Sequence, residues 1–247
     1  KNDHAFSFNG ANNYAQTDPS AIVSGIPGPG GYSISFWIKS SDFKSLNYDS
    51  ILTLSYGVGF SAPTRVEIYM SQGGGYGQSG KIRFVEDNSY PYTTSYHTLV
   101  DNTWNHVLVT STSTALKAGT QKIYVNRVLS AIETGAKVAN ADTITVASRQ
   151  WGLAPGAHGH GPLGASLDEV AIWNTVLTPE QVSDVFSDGK ITNLSNLDTS
   201  SDLKIWWRFG DGSGDDPSSI VYDQIGSTNL TCYNMDASNK ISGLDAN

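Results

Sequence analysis

Ser166-Leu167-Asp168-Glu169-Val170-Ala171-Ile172-Trp173 decides the fold: an apolar strand carrying two adjacent carboxylates, followed at once by a short, well-marked helix. Ionised side chains are rarely buried without a partner, so a pair inside a run that must pack raises the question of what neutralises them. A bound cation is one answer. Downstream, Thr178-Pro179-Glu180-Gln181 reads as an N-cap, an N1 proline and a Gln at N3 that completes a capping box. Val182, Val185 and Phe186 recur at helical spacing and Gly189 is placed to end the turn, which predicts one short helix near residues 179–187.

Outward from this stretch the pattern is that of strands. Tyr32 to Ser40 alternates, with Ile34, Phe36 and Ile38 on one face and Ser33, Ser35, Trp37 and Lys39 on the other, the pattern of a half-buried strand. Similar runs occupy residues 5–8, 51–54, 65–70, 81–85, 104–110, 122–129, 143–146 and 166–173. Turn residues separate them at sandwich-like intervals, so the expected class is all-β, an antiparallel β-sandwich with a single short helix. Residues 71–80, which are low in complexity, and 151–164 are too long for tight hairpins and read as rim loops. A change in composition over residues 189–202 divides the chain into a sandwich at 1–189 and a connector with a C-terminal segment at 190–247. That segment is expected to dock on the sandwich or on a neighbouring subunit.

The 247 residues include 25 Gly, 12 Tyr and 6 Trp with a formal charge of −8, and 15 Lys plus Arg form no basic run. Nucleic acid and insertion into an anionic membrane are therefore not expected, since both reward clustered positive charge. The lone Cys232 rules out an internal disulfide framework, leaving a core, a metal or an oligomer as the source of stability. The opening Lys1-Asn2-Asp3-His4 has neither an initiator Met nor a signal-like apolar region, and reads as a processed form or a fragment.

The ordered set Phe8-Asn-Gly-Ala-Asn-Asn-Tyr14, Tyr32-Ser-Ile-Ser-Phe-Trp-Ile-Lys39, Trp104-Asn-His-Val-Leu-Val-Thr110, Ile123-Tyr-Val-Asn-Arg-Val128, Leu167-Asp-Glu-Val-Ala-Ile-Trp173 and Thr178-Pro-Glu-Gln-Val182 resembles the laminin-G-like, concanavalin A-like jelly-roll domains over roughly residues 5–189. Two positions depart from that family: Asn9 stands where an Asp is usual, and Asn126-Arg127 where the hairpin usually has Asn-Gly or Asp-Gly. Residues 205–214 and 222–226 are similar to segments that accompany such domains, often in tandem arrays and bacteriophage virion proteins. The resemblance implies an extracellular or virion-surface setting. It also implies a structural calcium held by Asp168 with oxygens of Asn9, Gly10, Asn12 and Gly31; the uncharged Asn9 would weaken such a site. The alternative is that Asp168 caps backbone N–H groups while Glu169 faces solvent.

Glycan recognition needs aromatic faces for sugar rings and polar groups to orient them. Trp37, Tyr69, Arg83, Trp104, His106 and Trp151 could supply these from one sheet or its rim, although Trp37 and Trp104 read more readily as packing. Tyr76, Tyr90, Tyr92 and Tyr96 lie in loop-like stretches and are the better contact residues. Asp211-Gly-Ser-Gly-Asp-Asp216 copies only the first half of a calcium loop, and His158-Gly-His160 has no evident third ligand. A sandwich glycosidase would carry Glu-x-Asp-x-Glu on one strand, whereas alternation is expected to send Asp168 and Glu169 to opposite faces. The sequence thus points to a non-catalytic extracellular or virion-surface module that binds glycan or a protein surface, as part of a larger assembly or homo-oligomer. The rivals are a purely structural decoration or assembly protein and, more remotely, a glycoside hydrolase.

Overall fold

β-branched and aromatic residues in alternation fit the pleat of a half-buried sheet, and here they build two antiparallel sheets. The computed structural model describes residues 4–18, 25–55, 64–71, 78–87, 93–138, 143–148 and 161–244. In chain order the strands are β1 (His4–Ser7), β2 (Tyr14–Thr17), β3 (Tyr32–Lys39), β4 (Ser50–Ser55), β5 (Thr64–Met70), β6 (Ile82–Glu86), β7 (Thr93–Thr94) and β8 (Asn105–Ser111). They continue as β9 (Thr120–Val125), β10 (Val128–Thr134), β11 (Thr143–Val146), β12 (Ser166–Trp173), β13 (Leu203–Trp207), β14 (Ile220–Val221), β15 (Leu230–Tyr233) and β16 (Lys240–Ser242), with helix α1 (Pro179–Phe186) between β12 and β13.

The first sheet runs β10-β9-β8-β3-β12-β1-β16, with β13 also paired to β12; the second runs β14-β15-β2-β11-β4-β5-β6-β7. The C-terminal strands therefore enter both sheets. Between the sheets lies the main core, where Phe36, Ile38, Val107, Leu167 and Ile172 of one sheet meet Leu52, Ile68, Phe84 and Ile144 of the other. A second apolar cluster covers the outward face of the first sheet, with Ala171 and Trp173 of β12 packed among Leu177, Val182, Val185, Leu194 and Trp206. Consequently β3 is buried on both faces and only Lys39 is partly open, where alternation alone reads as a half-buried strand.

Local signals act as their chemistry dictates. The Thr178 side chain accepts from the Gln181 backbone while Gln181 Oε1 accepts from the Thr178 N–H at 2.9 Å, completing the capping box. The left-handed turn that ends α1 begins at Ser187 (φ 47°) and passes through Asp188 before reaching Gly189, two residues earlier than a glycine stop implies. Asn126 and Arg127 both take positive φ, at 49° and 66°, the requirement of the two-residue turn that joins β9 to β10. Gly31 (φ 120°) is obligatory, because a Cβ there would sit 2.0 Å from the Ser111 carbonyl oxygen.

Thr178→Ala is expected to lower stability by about 1 kcal/mol through loss of the cap, read as a shift in urea midpoint with an unchanged m-value.

Candidate functional site

Adjacent strand residues point to opposite faces unless a bulge intervenes, and β12 has one. Its pairing with β3 shifts register between Asp168 and Ala171, with Glu169 at φ 49°. Leu167, Val170 and Ile172 point into the main core. Asp168 is instead paired across to Trp37, and Glu169 Oε2 accepts from the indole N–H of Trp206, so both carboxylates lie on the outward, helix-covered face. This corrects the expectation that alternation separates them and that Glu169 meets solvent. The extra residue resets the period, and both side chains are buried. Glu169 is neutralised by Arg208, whose Nε donates to Oε1 at 2.9 Å while the guanidinium lies over the Trp206 ring.

Beside Glu169 a cleft of about 220 Å³, partly open to solvent, is lined by Ser35, Trp37, His106, Val185 and Leu194 among others. The enclosed part of that space, about 10 Å³, is room for about one water and far below the roughly 300–1,000 Å³ of ordinary ligand pockets. Trp37 is packed between His106, at 4.9 Å between ring centroids, and Phe186 of α1, at 5.8 Å. Burial pushes the His106 imidazole down to about 3, which keeps the ring neutral among its aromatic neighbours. This face is a packed seam, so Trp37 and His106 do not present themselves to a glycan.

The outward face of the second sheet differs in kind. Cross-strand partners form a row of Gln16 on β2, Thr145 on β11, Thr53 on β4 and Glu67 on β5. A neighbouring row holds Ser50, Tyr69, Arg83 and Thr94. A bulge between Ser50 and Leu52 brings Ser50 onto the face of Thr53, with their hydroxyls 3.2 Å apart. The groups are tied together: Gln16 Nε2 donates to Thr145 Oγ1 at 3.1 Å, Ser50 donates to Glu67 Oε1 at 3.0 Å, and Arg83 Nε donates to Thr94 Oγ1 at 3.2 Å. Burial pushes the Tyr69 phenol up to about 12 in spite of its hydrogen bond to Arg83. Among the described strand residues facing outward here, Glu67 is the one carboxylate. The alternation Thr143-Ile144-Thr145-Val146 and Val66-Glu67-Ile68-Tyr69 carries the signal for these positions; Tyr69 and Arg83 are also legible in the sequence as candidate glycan contacts, whereas Thr145 and Glu67 are legible only as strand residues.

Of the residues expected to bind ligand, Arg83 stands on this face. Tyr96 is 76% exposed but lies away from it, where its N–H donates to Ser130 of β10 at the edge of the first sheet. Tyr76, Tyr90, Tyr92 and Trp151 lie outside the described residues. The five residues proposed for calcium are not brought together. Gly10 donates to Leu163 and Ser40 donates to Gly164, setting the first loop at the Lys39 end of β3. Gly31 precedes Tyr32 at the other end, roughly 25 Å away at a rise of about 3.3 Å per residue. Asn9 Oδ1 accepts from the N–H groups of Ala11, Asn12 and Asn13 and so closes its own loop. Asp168 is buried under the helix-covered face, further along β12 than that loop. Among the described residues no three His, Cys, Asp or Glu side chains gather as a metal site.

Two twisted antiparallel sheets around one core, with a polar outward face on the second, define a lectin-type jelly roll. The chain belongs to the concanavalin A-like lectin/glucanases superfamily, whose profile matches residues 9–183. No curated protein matches it. Among solved structures it is similar to a candidate carbohydrate-binding protein from Bacteroides ovatus, with a TM-score of 0.66 and 17% identity over 98% of this chain and 60% of that one. It is also similar to a heptameric SAP-like pentraxin from Limulus polyphemus, with a TM-score of 0.54 and 15% identity over 74% of this chain and 82% of that one. The CBM40 domain of the Ruminococcus gnavus IT-sialidase, bound to alpha2,3 sialyllactose, gives 0.51 and 13% over 73% of this chain and 95% of that one. The chain thus spans about 60% of the length of the first of these proteins. At such identities the likeness speaks to the fold.

His106 supplies a pH test. Its folded pKa of about 3 lies below the ordinary value, so between the two the unfolded chain binds the extra proton and stability falls as pH drops from about 6.5. His106→Phe is expected to make the loss of stability between pH 6.5 and 5 shallower than in the unsubstituted protein, by up to about 1.4 kcal/mol per pH unit in urea titrations.

Proposed function

We propose that this chain is a non-catalytic glycan-binding module that uses the outward face of the second sheet. The observation that carries this reading is the contrast between the two outward faces. The first is sealed by apolar residues of α1 and by Trp206, whereas the second carries hydroxyl, amide and carboxylate groups in rows that are buried at their centre and open at both ends, through partly exposed Arg83 and Thr94 on one side and exposed Thr231 and Tyr233 on the other, groups suited to hydroxyl-rich ligands. Two of the structural neighbours are themselves described as carbohydrate binders, which supports the same reading.

Catalysis is not part of the proposal. Glycoside hydrolysis uses two carboxylates a few ångströms apart across the scissile bond. Asp168 and Glu169 lie under the helix-covered face, and Glu67 is alone among the described outward strand residues of the second sheet. The proposed setting is extracellular or on a virion surface, where glycans are displayed; its support is the resemblance of residues 205–214 and 222–226.

A second reading, contact with protein in an assembly, is favoured by β10. This strand ends the first sheet with Leu129 and Ile132 about half exposed, and apolar edge strands invite pairing. If β10 joins copies of the chain, sedimentation will show an oligomer that Ile132→Lys dissociates.

The direct test is a glycan array of neutral and sialylated oligosaccharides probed with the full chain. Binding is expected, and Arg83→Ala is expected to weaken it at least about tenfold while the melting temperature moves little. No binding to any array member would sink the proposal.

A further inference from the structure

The second sheet continues past Gln16 onto β15, which lies beyond the part of the chain matched by the family. There Thr231 is the cross-strand partner of Gln16, and Tyr233 that of Tyr14. Ala15 and Cys232 between them point into the main core, so Tyr14, Gln16, Thr231 and Tyr233 share the outward face that carries Thr145, Thr53 and Glu67. The two phenol rings are stacked, 4.6 Å between centroids and 11° from parallel. Tyr233 is 37% exposed and Thr231 is exposed, in contrast to the buried row further in.

We infer that the stacked Tyr14–Tyr233 pair is a sugar-stacking platform, the outer subsite of the glycan face, accepting an uncharged pyranose or furanose ring of an oligosaccharide. This rests on the function proposed above and adds a subsite and a ligand class to it. A ring stacked on an aromatic face buries its C–H groups, and its hydroxyls then need donors and acceptors beside the ring. The Thr231 hydroxyl and the Gln16 amide stand two residues along the same strands, about 7 Å away at the strand rise. The pair is held from behind by amides: Asn13 Nδ2 donates to the Asn234 carbonyl, Asn234 Nδ2 donates to the Asn12 carbonyl at 2.9 Å, and Asn239 Nδ2 donates to Asn13 Oδ1 at 3.0 Å. Those bonds fix the backbone on both sides of the stack, so little freedom is left to lose on binding. The cross-strand neighbours of the stack on this face, Gln16 and Thr231, are uncharged, which suits a neutral sugar better than an acidic one.

The occupant follows from continuity. The platform stands at the open edge of the buried polar row, so an oligosaccharide lying along this edge would place one ring on the tyrosines and the next beside the exposed Thr231. Titration of the full chain with maltopentaose, xylopentaose, cellopentaose and 3′-sialyllactose, followed by calorimetry and by the tyrosine ring resonances, tests this. A neutral pentasaccharide is expected to bind and to shift the Tyr14 and Tyr233 ring signals. Tyr233→Leu is expected to weaken binding about tenfold, whereas Tyr233→Phe, which keeps the ring, holds it within about twofold. Melting temperatures of both variants report folding separately. If a pentasaccharide binds with unmoved tyrosine signals and Tyr233→Leu binds as tightly as the parent, the platform is wrong and the glycan-binding reading stands. Preference for 3′-sialyllactose overturns the neutral-sugar assignment, and binding of none of the four overturns the platform, while the array remains the test of the wider reading.

Discussion

Glu169 is a buried carboxylate, and the fold depends on how it is neutralised. Removing such a group from water costs several kcal/mol after relaxation, which an ion pair offsets only with good geometry and further hydrogen bonds. Arg208 and the Trp206 indole supply both, and they come from the end of β13 and the residue after it. The strand that carries the Leu167–Trp173 motif is therefore completed by a segment outside the matched region. Asp223 reinforces the join by accepting from the Trp206 N–H at 3.1 Å and from the N–H groups of Ile225 and Thr228.

The bulge at Glu169 falls where the neighbour of β12 changes from β1 to β13. It turns two adjacent acids to one side and leaves Leu167, Val170 and Ile172 for the core. The covering helix then seals Trp37 and His106, while on the second sheet the centre of the polar row is buried and its open groups are Arg83 and Thr94 at one end and Thr231 and Tyr233 at the other. A different polar network lies inside the sandwich, where Glu86 accepts from Tyr32 at 2.6 Å and from Ser113 at 2.7 Å. Burial, then the Glu86 charge, holds the Tyr32 phenol well above its usual range. Glu67, Glu86 and Glu169 are thus each matched to donors from another part of the chain, as a low dielectric demands. The only cysteine is likewise inert: burial first, then Asp215 and Asp216, push the Cys232 thiol up to about 12.

Period-2 patterning, capping and turn chemistry are local, so the strands with clean alternation, the capped helix at Thr178-Pro-Glu-Gln181 and the family are legible in the chain alone. Tertiary structure decided the face of Asp168 and Glu169, the separation of Gly31 from the first loop, and the split of Trp37 and His106 from Tyr69 and Arg83 onto different sheets. Alternation says that a side chain faces one way or the other, and neither which strand lies beside it nor where a non-glycine residue turns left-handed to reset the count. The proposed platform is the sharpest case: Tyr14 and Tyr233 stand 219 positions apart in the chain, and only the addition of β15 to the edge of β2 makes them neighbours.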